Sequence, residues 1–160
     1  MNKTILLIED NLDNIELTLR ALKKNNIKNE VKVVYDGAEA LDYLFGKGKY
    51  SERDLANMPT VILLDIKLPK VNGIEVLRQI RENKLTRLLP VVILTSSKEE
   101  QDIVNGYRLG VNSYVRKPVD FNQFAEAVSH IGLYWLLINE TPPIEKELNN
   151  DENNIKDISR

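Results

Sequence analysis

The chain reads as an open α/β fold, a parallel sheet of five strands with helices on both faces. Three observations predict it. Short β-like runs recur at TILLI (4–8), VKVVY (31–35), VILLD (61–65), VVILT (91–95) and, more weakly, NSYVR (112–116). The first, third and fourth runs are apolar at consecutive positions, as in central parallel strands buried on both faces. Segments of helical period separate the runs, and strand–helix alternation implies parallel pairing through right-handed crossovers.

Each helix follows from its apolar spacing. Leu12, Ile15, Leu19 and Leu22 fall on one face of a first helix. Ala38, Leu41 and Leu44 mark a second, Ile74, Leu77 and Ile80 a third, and Ile103 with Tyr107 a fourth. The fifth has the longest stripe: Phe121, Phe124, Val128, Ile131, Trp135 and Ile138. Ser97 with Glu100, and Asp120 with Gln123, have capping-box spacing at the starts of the fourth and fifth helices. The segment GKGKYSERDLANMP (46–59) is polar, holds two glycines and reads as a long exposed loop. The last 22 residues, Asn139 to Arg160, hold Pro142-Pro143, five asparagines, six acids and three bases. With so few apolar anchors this tail is expected to be largely disordered or loosely attached. The domain expected from these features spans 1–138 and the tail 139–160.

Composition narrows the function classes. The 160 residues suffice for one domain with a real core. A net charge of −2 lacks the basic excess of a nucleic-acid binder, so no nucleic-acid partner is expected. The absence of cysteine excludes disulfides, zinc thiolates, iron–sulfur clusters and thiol catalysis. MNKTILLIED lacks the cleavage site and apolar length of a signal peptide. No run approaches the roughly 20 apolar residues that span a bilayer. A cytoplasmic setting with no membrane partner is the expectation.

In open parallel sheets, ligands bind at the carboxyl ends of the strands. The first strand ends in Glu9-Asp10, the third in Asp65 and the fourth in Thr95-Ser96, and the fifth is followed by Lys117-Pro118. Three carboxylates, a hydroxyl and an ammonium therefore converge on one edge. Clustered carboxylates repel, and a divalent cation resolves the conflict. Mg²⁺ takes oxygen ligands, usually one or two carboxylates with waters and a phosphate. An aspartate can also attack phosphorus to give an aspartyl phosphate. The three oxygens of a transferring phosphoryl group would find the cation, Lys117, and the Thr95 hydroxyl with a backbone N–H. Each residue also has a plainer reading. Glu9-Asp10 could cap the first helix, Thr95 could be an ordinary strand residue, Lys117 a solvated lysine and Tyr114 simple packing.

The motifs I-E-D (8–10), L-L-D-I-K-L-P (63–69) with Gly73, L-T-S-S (94–97) and Y-V-R-K-P (114–118) occur in this order. Together they resemble the receiver domain of two-component response regulators, over residues 3 to about 137. The resemblance implies a flavodoxin-like, doubly wound (βα)₅ sheet of strand order 2-1-3-4-5. It implies Asp65 as phospho-acceptor, Asp10 as a direct ligand of Mg²⁺ (or Mn²⁺), Glu9 acting through water, and the Lys67 backbone carbonyl as a further ligand. Thr95 and Lys117 match the phosphate-sensing hydroxyl and the lysine of the family, and Tyr114 its aromatic switch. Lys117–Pro118 becomes a candidate cis peptide. The implied function is acceptance of a phosphoryl group from a sensor histidine kinase or phosphotransfer protein, switching a partner surface on helix 4, strand 5 and helix 5. Such a protein is no enzyme beyond its own phosphotransfer and slow self-dephosphorylation. The polar residues after helix five are too few for a DNA-binding output module.

The chain is most similar to the small receiver proteins that serve bacterial phytochrome-type histidine kinases. Its fifth helix ends apolar nearly all round (Ile131, Leu133, Tyr134, Trp135, Leu136, Leu137, Ile138). Trp135 is expected first as a core anchor under the sheet; the alternative is an interface residue, in a homodimer through the helix 4/strand 5/helix 5 face where this surplus lies. Lys67 is expected to border the phosphate and slow its hydrolysis. His130, the only histidine, is expected at the surface. Three rivals are weaker. An aspartyl-phosphate phosphatase would carry a second Asp where Lys67 stands. A nucleotide binder would need a Gly-rich or Ser/Thr-rich loop where EDNLDN (9–14) stands. A receiver-like scaffold that takes no phosphate would be expected to lack one of the acids or Lys117.

Overall fold

A computed structural model of the chain describes residues 3–117 and 120–142. The strands are β1 (Ile5–Ile8), β2 (Val31–Val34), β3 (Val61–Leu64), β4 (Val91–Thr95) and β5 (Ser113–Arg116). The helices are α1 (Leu12–Lys24), α2 (Gly37–Phe45), α3 (Gly73–Glu82), α4 (Glu100–Arg108) and α5 (Phe121–Leu133). A 3₁₀ turn covers Gly48–Tyr50, and a π-helical turn, Tyr134–Ile138, extends α5. The sheet is parallel in the order β2-β1-β3-β4-β5, as expected.

Apolar runs without alternation are explained by two cores, one on each face. Leu6, Ile8, Ile62, Leu64 and Ile93 face α2 and α3, where they meet Ala40, Leu44, Val76, Leu77 and Ile80. Ile5, Leu7, Val61, Leu63, Val92 and Leu94 face α1 and α5, where they meet Ile15, Leu22, Phe124 and Val128. Every second residue of a central strand thus enters a different core, so both sets must be apolar. The edge strands β2 and β5 are only half-buried over most of their length.

Several expectations about faces need correction. In α1, Leu12 is 70% exposed and Leu19 is exposed as well, while Thr18 and Ala21 are buried beside Ile15 and Leu22. Thr18 tolerates burial because its hydroxyl donates to Asn14 O at 2.7 Å. Tyr107 on α4 is 55% exposed; the buried residue of that helix is Gly106. At the end of α5, Ile138 is 69% exposed and Leu136 is buried instead. The wider π turn changes the phase of the stripe there. Trp135 is half-buried against the α1/α5 core and meets the Tyr134 ring edge-on, with centroids 5.1 Å apart.

Caps also differ in part. Asp120 caps α5 as expected, accepting from the Gln123 N–H at 3.0 Å. Ser97 does not cap α4; the cap position is Glu99, without a side-chain bond. The cap of α1 is neither Glu9 nor Asp10 but Asn11, whose Oδ1 accepts from the Asn14 N–H. Pro118 and most of the tail, residues 143–160, lie outside the described residues. The cis-peptide and disorder expectations fall there.

The 46–59 segment is more ordered than a polar loop suggests. The Arg53 guanidinium stacks on the Tyr43 ring, 4.1 Å from its centroid, and donates to Tyr43 O and Asn57 O. The Tyr50 hydroxyl donates to Glu39 at 2.8 Å, and its ring packs on the α2/α3 core. Burial pushes the Glu39 carboxyl up, but bonds from Tyr50, the Tyr35 N–H and Lys49 outweigh it and hold its pKa below the usual 4.5. A carboxylate with a depressed folded pKa stabilises above its unfolded pKa and loses that contribution as pH falls through the folded value. Tyr50→Phe is therefore expected to cost about 1 kcal/mol at pH 7. The deficit should shrink below about pH 4, measurable by denaturant titration across pH. An equal deficit at every pH would assign the loss to packing alone.

Candidate functional site

Strand register builds the site. Ile8 pairs with Leu64 and the Asp65 N–H donates to Ile8 O at 3.1 Å, so Glu9 and Asp65 leave adjacent strands at the same level. Both are buried, whereas Asp10 is exposed. Oxygens of Glu9, Asp10 and Asp65 lie within 4.8 Å of one another. From β5, Lys117 N–H donates to Thr95 O at 2.7 Å, and its ammonium reaches Glu9 at 2.5 Å and Asp65 Oδ2 at 3.6 Å. The three carboxylates and the ammonium thus lie together.

The remaining sites fall around them. Thr95 is fully buried at the end of β4, and its Oγ1 accepts from the Ser97 N–H at 3.3 Å. Tyr114 is half-buried, and its hydroxyl donates to Ser97 O at 3.5 Å. Burial is the main reason its phenol pKa is raised. Lys67 is exposed on the β3–α3 loop. His130 lies on α5 with an exposed side chain, 3.8 Å from the equally exposed Glu126. Two contributors were missed in the sequence. The Asn11 N–H donates to Glu9 Oε1 at 3.2 Å while its side chain caps α1. The Ile66 N–H donates to Asp65 Oδ1 at 2.8 Å. Neither backbone donor has a sequence signal, although Asn three residues before Asn14 is a readable cap.

Electrostatics at this edge are unbalanced. Burial, and next the charge of Asp65, push the Glu9 carboxyl up, against the pull of Lys117 and the Asn11 N–H. Three carboxylates face one ammonium, and one of them already resists ionisation. Hard oxygen donors in this number suit Mg²⁺ or Mn²⁺, which would relieve the repulsion. The donor set therefore fits a divalent cation, with Asp10 the carboxylate most open to solvent.

Comparison with known proteins gives the same direction. Residues 5–129 match the family described as "Response regulator receiver domain". Response regulator Rcp1 of Synechocystis is 37% identical over 134 residues, 84% of this chain and 89% of that protein. Its Mn²⁺-bound crystal structure superposes with a TM-score of 0.81, at 36% identity, covering 88% of this chain and 99% of that one. The phosphorylated cyanobacterial phytochrome response regulator RcpA gives a TM-score of 0.83 at 39% identity, covering 89% of this chain and 99% of that one. The bacteriophytochrome response regulator RtBRR is 52% identical with a TM-score of 0.71, covering 96% of this chain and 93% of that one. Among the described residues no helix is long and apolar enough to cross a membrane. With the sheet order, the acid cluster and a match across 125 residues in agreement, the chain belongs to the response regulator receiver domain family.

Proposed function

We propose that this chain is a response regulator of the phytochrome-associated kind that accepts a phosphoryl group on Asp65. The observation that carries the proposal is the meeting of Asp65 with Glu9, Asp10 and the Lys117 ammonium at the carboxyl edge of the sheet. The donor would be a phosphohistidine on a sensor histidine kinase or phosphotransfer protein, because the chain's single histidine, His130, lies on α5 and takes no part in the contacts of the Asp65 site. One Asp65 carboxylate oxygen forms a bond to phosphorus as the phosphorus–nitrogen bond breaks, and the leaving imidazole takes up a proton. Asp10, Asp65 and the Lys67 carbonyl would hold a divalent cation, with Glu9 acting through water, and that cation would supply positive charge to the phosphoryl oxygens. Lys117 would hold a further oxygen and the Thr95 hydroxyl another.

Phosphorylation would draw the Thr95 hydroxyl toward the phosphate and turn Tyr114 inward, shifting a two-state equilibrium of the α4/β5/α5 surface. The exposed Leu133, Tyr134, Leu137 and Ile138 beside Trp135 support a homodimer on that side. Residues 1–138 would form the receiver domain and 139–160 a polar tail, in the cytoplasmic setting usual for the family. Incubation with acetyl phosphate and Mg²⁺, followed by intact mass measurement, tests the reading. A gain of one phosphoryl group that chelation abolishes is expected; no gain would overturn it. Lys67, two residues past the acceptor and exposed, would hinder an attacking water. Lys67→Ala should lose the phosphoryl group several-fold faster, and decay at the parental rate would give Lys67 no kinetic role.

A further inference from the structure

Asp10 has the least to hold it of the three carboxylates. It is exposed, and among the described residues nothing hydrogen-bonds to or pairs with its side chain. Both its neighbours are fixed. The Glu9 N–H donates to Val34 O at 3.1 Å, its Oε2 takes the Lys117 ammonium, and its Oε1 accepts from the Asn11 N–H at 3.2 Å. Asn11 in turn belongs to α1. Its backbone is extended, with φ −81° and ψ 113°, and its carbonyl accepts from the Ile15 N–H at 3.0 Å. Its Oδ1 accepts from the Asn14 N–H at 3.0 Å. One residue thus faces two ways. The side chain ties the 9–11 segment to the helix, and the backbone N–H ties the same segment to Glu9. Asp10 is strung between the two attachments, which set the direction of its side chain. Groups that orient a metal ligand from behind commonly tune metal affinity ten- to a hundredfold.

We propose that Asn11 is a positioning residue for the divalent cation: its cap on α1 holds Asp10 where its carboxylate meets those of Glu9 and Asp65, with oxygens of all three within 4.8 Å of one another. The inference rests on the reading of this acid cluster as a Mg²⁺ or Mn²⁺ site. Without the cap the first turn of α1 loosens, the Asn11 N–H leaves Glu9 Oε1, and Asp10 ranges more widely. A cation would then have to order Asp10 as it binds, and affinity falls.

The full chain with Mn²⁺ and no phosphoryl donor tests this, the unbound ion being counted by its electron paramagnetic resonance signal. Asn11→Ala removes the cap and keeps the N–H, and Asn11→Ser restores a cap through its hydroxyl. Thr86→Ala is the control. It deletes a buried hydroxyl that donates to Ile80 O at 2.7 Å, toward the end of α3 away from the carboxyl edge of the sheet. The Mn²⁺ dissociation constant should rise about three- to tenfold in Asn11→Ala and stay within about twofold of the parent in the other two. In metal-free buffer, amide exchange over 12–16 should quicken in Asn11→Ala and not in Asn11→Ser. Parental affinity in Asn11→Ala would reduce Asn11 to an ordinary cap and overturn the inference. Equal weakening in Thr86→Ala would do the same by tracing the effect to lost stability, and equal weakening in Asn11→Ser by showing that capping is not the cause. If Asn11→Ala does not fold, Asn11→Gly, a milder loss at a cap position, carries the same comparison. A parent that binds no Mn²⁺ would overturn the metal reading and this inference with it. With no phosphoryl donor present, the role of Asn11 can fail where Asp65 phosphorylation succeeds.

Discussion

Asp65→Asn should abolish the gain of a phosphoryl group from acetyl phosphate while leaving the fold intact. The amide has the size and shape of the carboxylate and retains an oxygen for the Ile66 N–H, which donates to Asp65 Oδ1 at 2.8 Å. It lacks the anionic oxygen that would attack phosphorus. The variant also removes a charge that, after burial, is the next cause of the raised Glu9 pKa. Glu9 keeps Lys117 to itself at 2.5 Å, so its pKa should fall toward the ordinary value. In metal-free buffer at neutral pH the variant should melt higher, by a few degrees for about 1 kcal/mol in a domain of this size. The two results separate lost chemistry from lost structure. Reaction loss with a lower melting temperature would point to damage, and a retained mass gain would place the acceptor on another side chain.

The sheet and its chemical edge were legible because period and strand ends are local signals. TILLI, VILLD and VVILT each hold four consecutive apolar residues (5–8, 61–64 and 91–94) since each strand feeds two cores. The carboxylates follow directly on β1 and β3, and parallel register alone brings them level. What failed was phase and interior polarity. The α1 stripe misses Thr18, because a threonine whose hydroxyl bonds back to Asn14 O buries as readily as an apolar residue. The α5 stripe drifts at Tyr134, where a π turn, not a sequence period, selects Leu136 over Ile138. Ser97 resembled a helix cap by spacing, yet its hydroxyl is committed to Asp102. The loop 46–59 looked solvated because the groups that order it, Arg53, Tyr50 and Glu39, are polar and pair only in three dimensions.

Gly73→Ala should lower stability by about 2–3 kcal/mol and disable phosphoryl acceptance with it. Gly73 opens α3, where replacing glycine by alanine would ordinarily stabilise by up to about 1 kcal/mol. Packing reverses the sign. A Cβ at Gly73 would lie 2.1 Å from Asp65 O and 2.7 Å from Ile66 Cα, both backbone atoms with no rotamer to yield. The helix cannot retreat freely, since the Gly73 N–H donates to Ile66 O at 2.7 Å and Asn72 caps the same turn through the Glu75 N–H. Nor can the loop move toward α2. Gly37 abuts it there, donating to Pro69 O at 3.3 Å, and a Cβ on Gly37 would lie 1.8 Å from Val71 O. Strain at Gly73 is thus delivered to residues 65 and 66, the proposed acceptor and its backbone donor. A control at the far end of α3, Glu82→Ala, breaks only the exposed pair with Arg78 and should cost no more than about 0.5 kcal/mol. Denaturant midpoints and mass gain measured on both variants test the argument. A Gly73→Ala protein as stable and as reactive as the parent would mean that the 65–73 loop gives way easily. Asp65 would then owe its position to β3 rather than to the clamp of the two glycines.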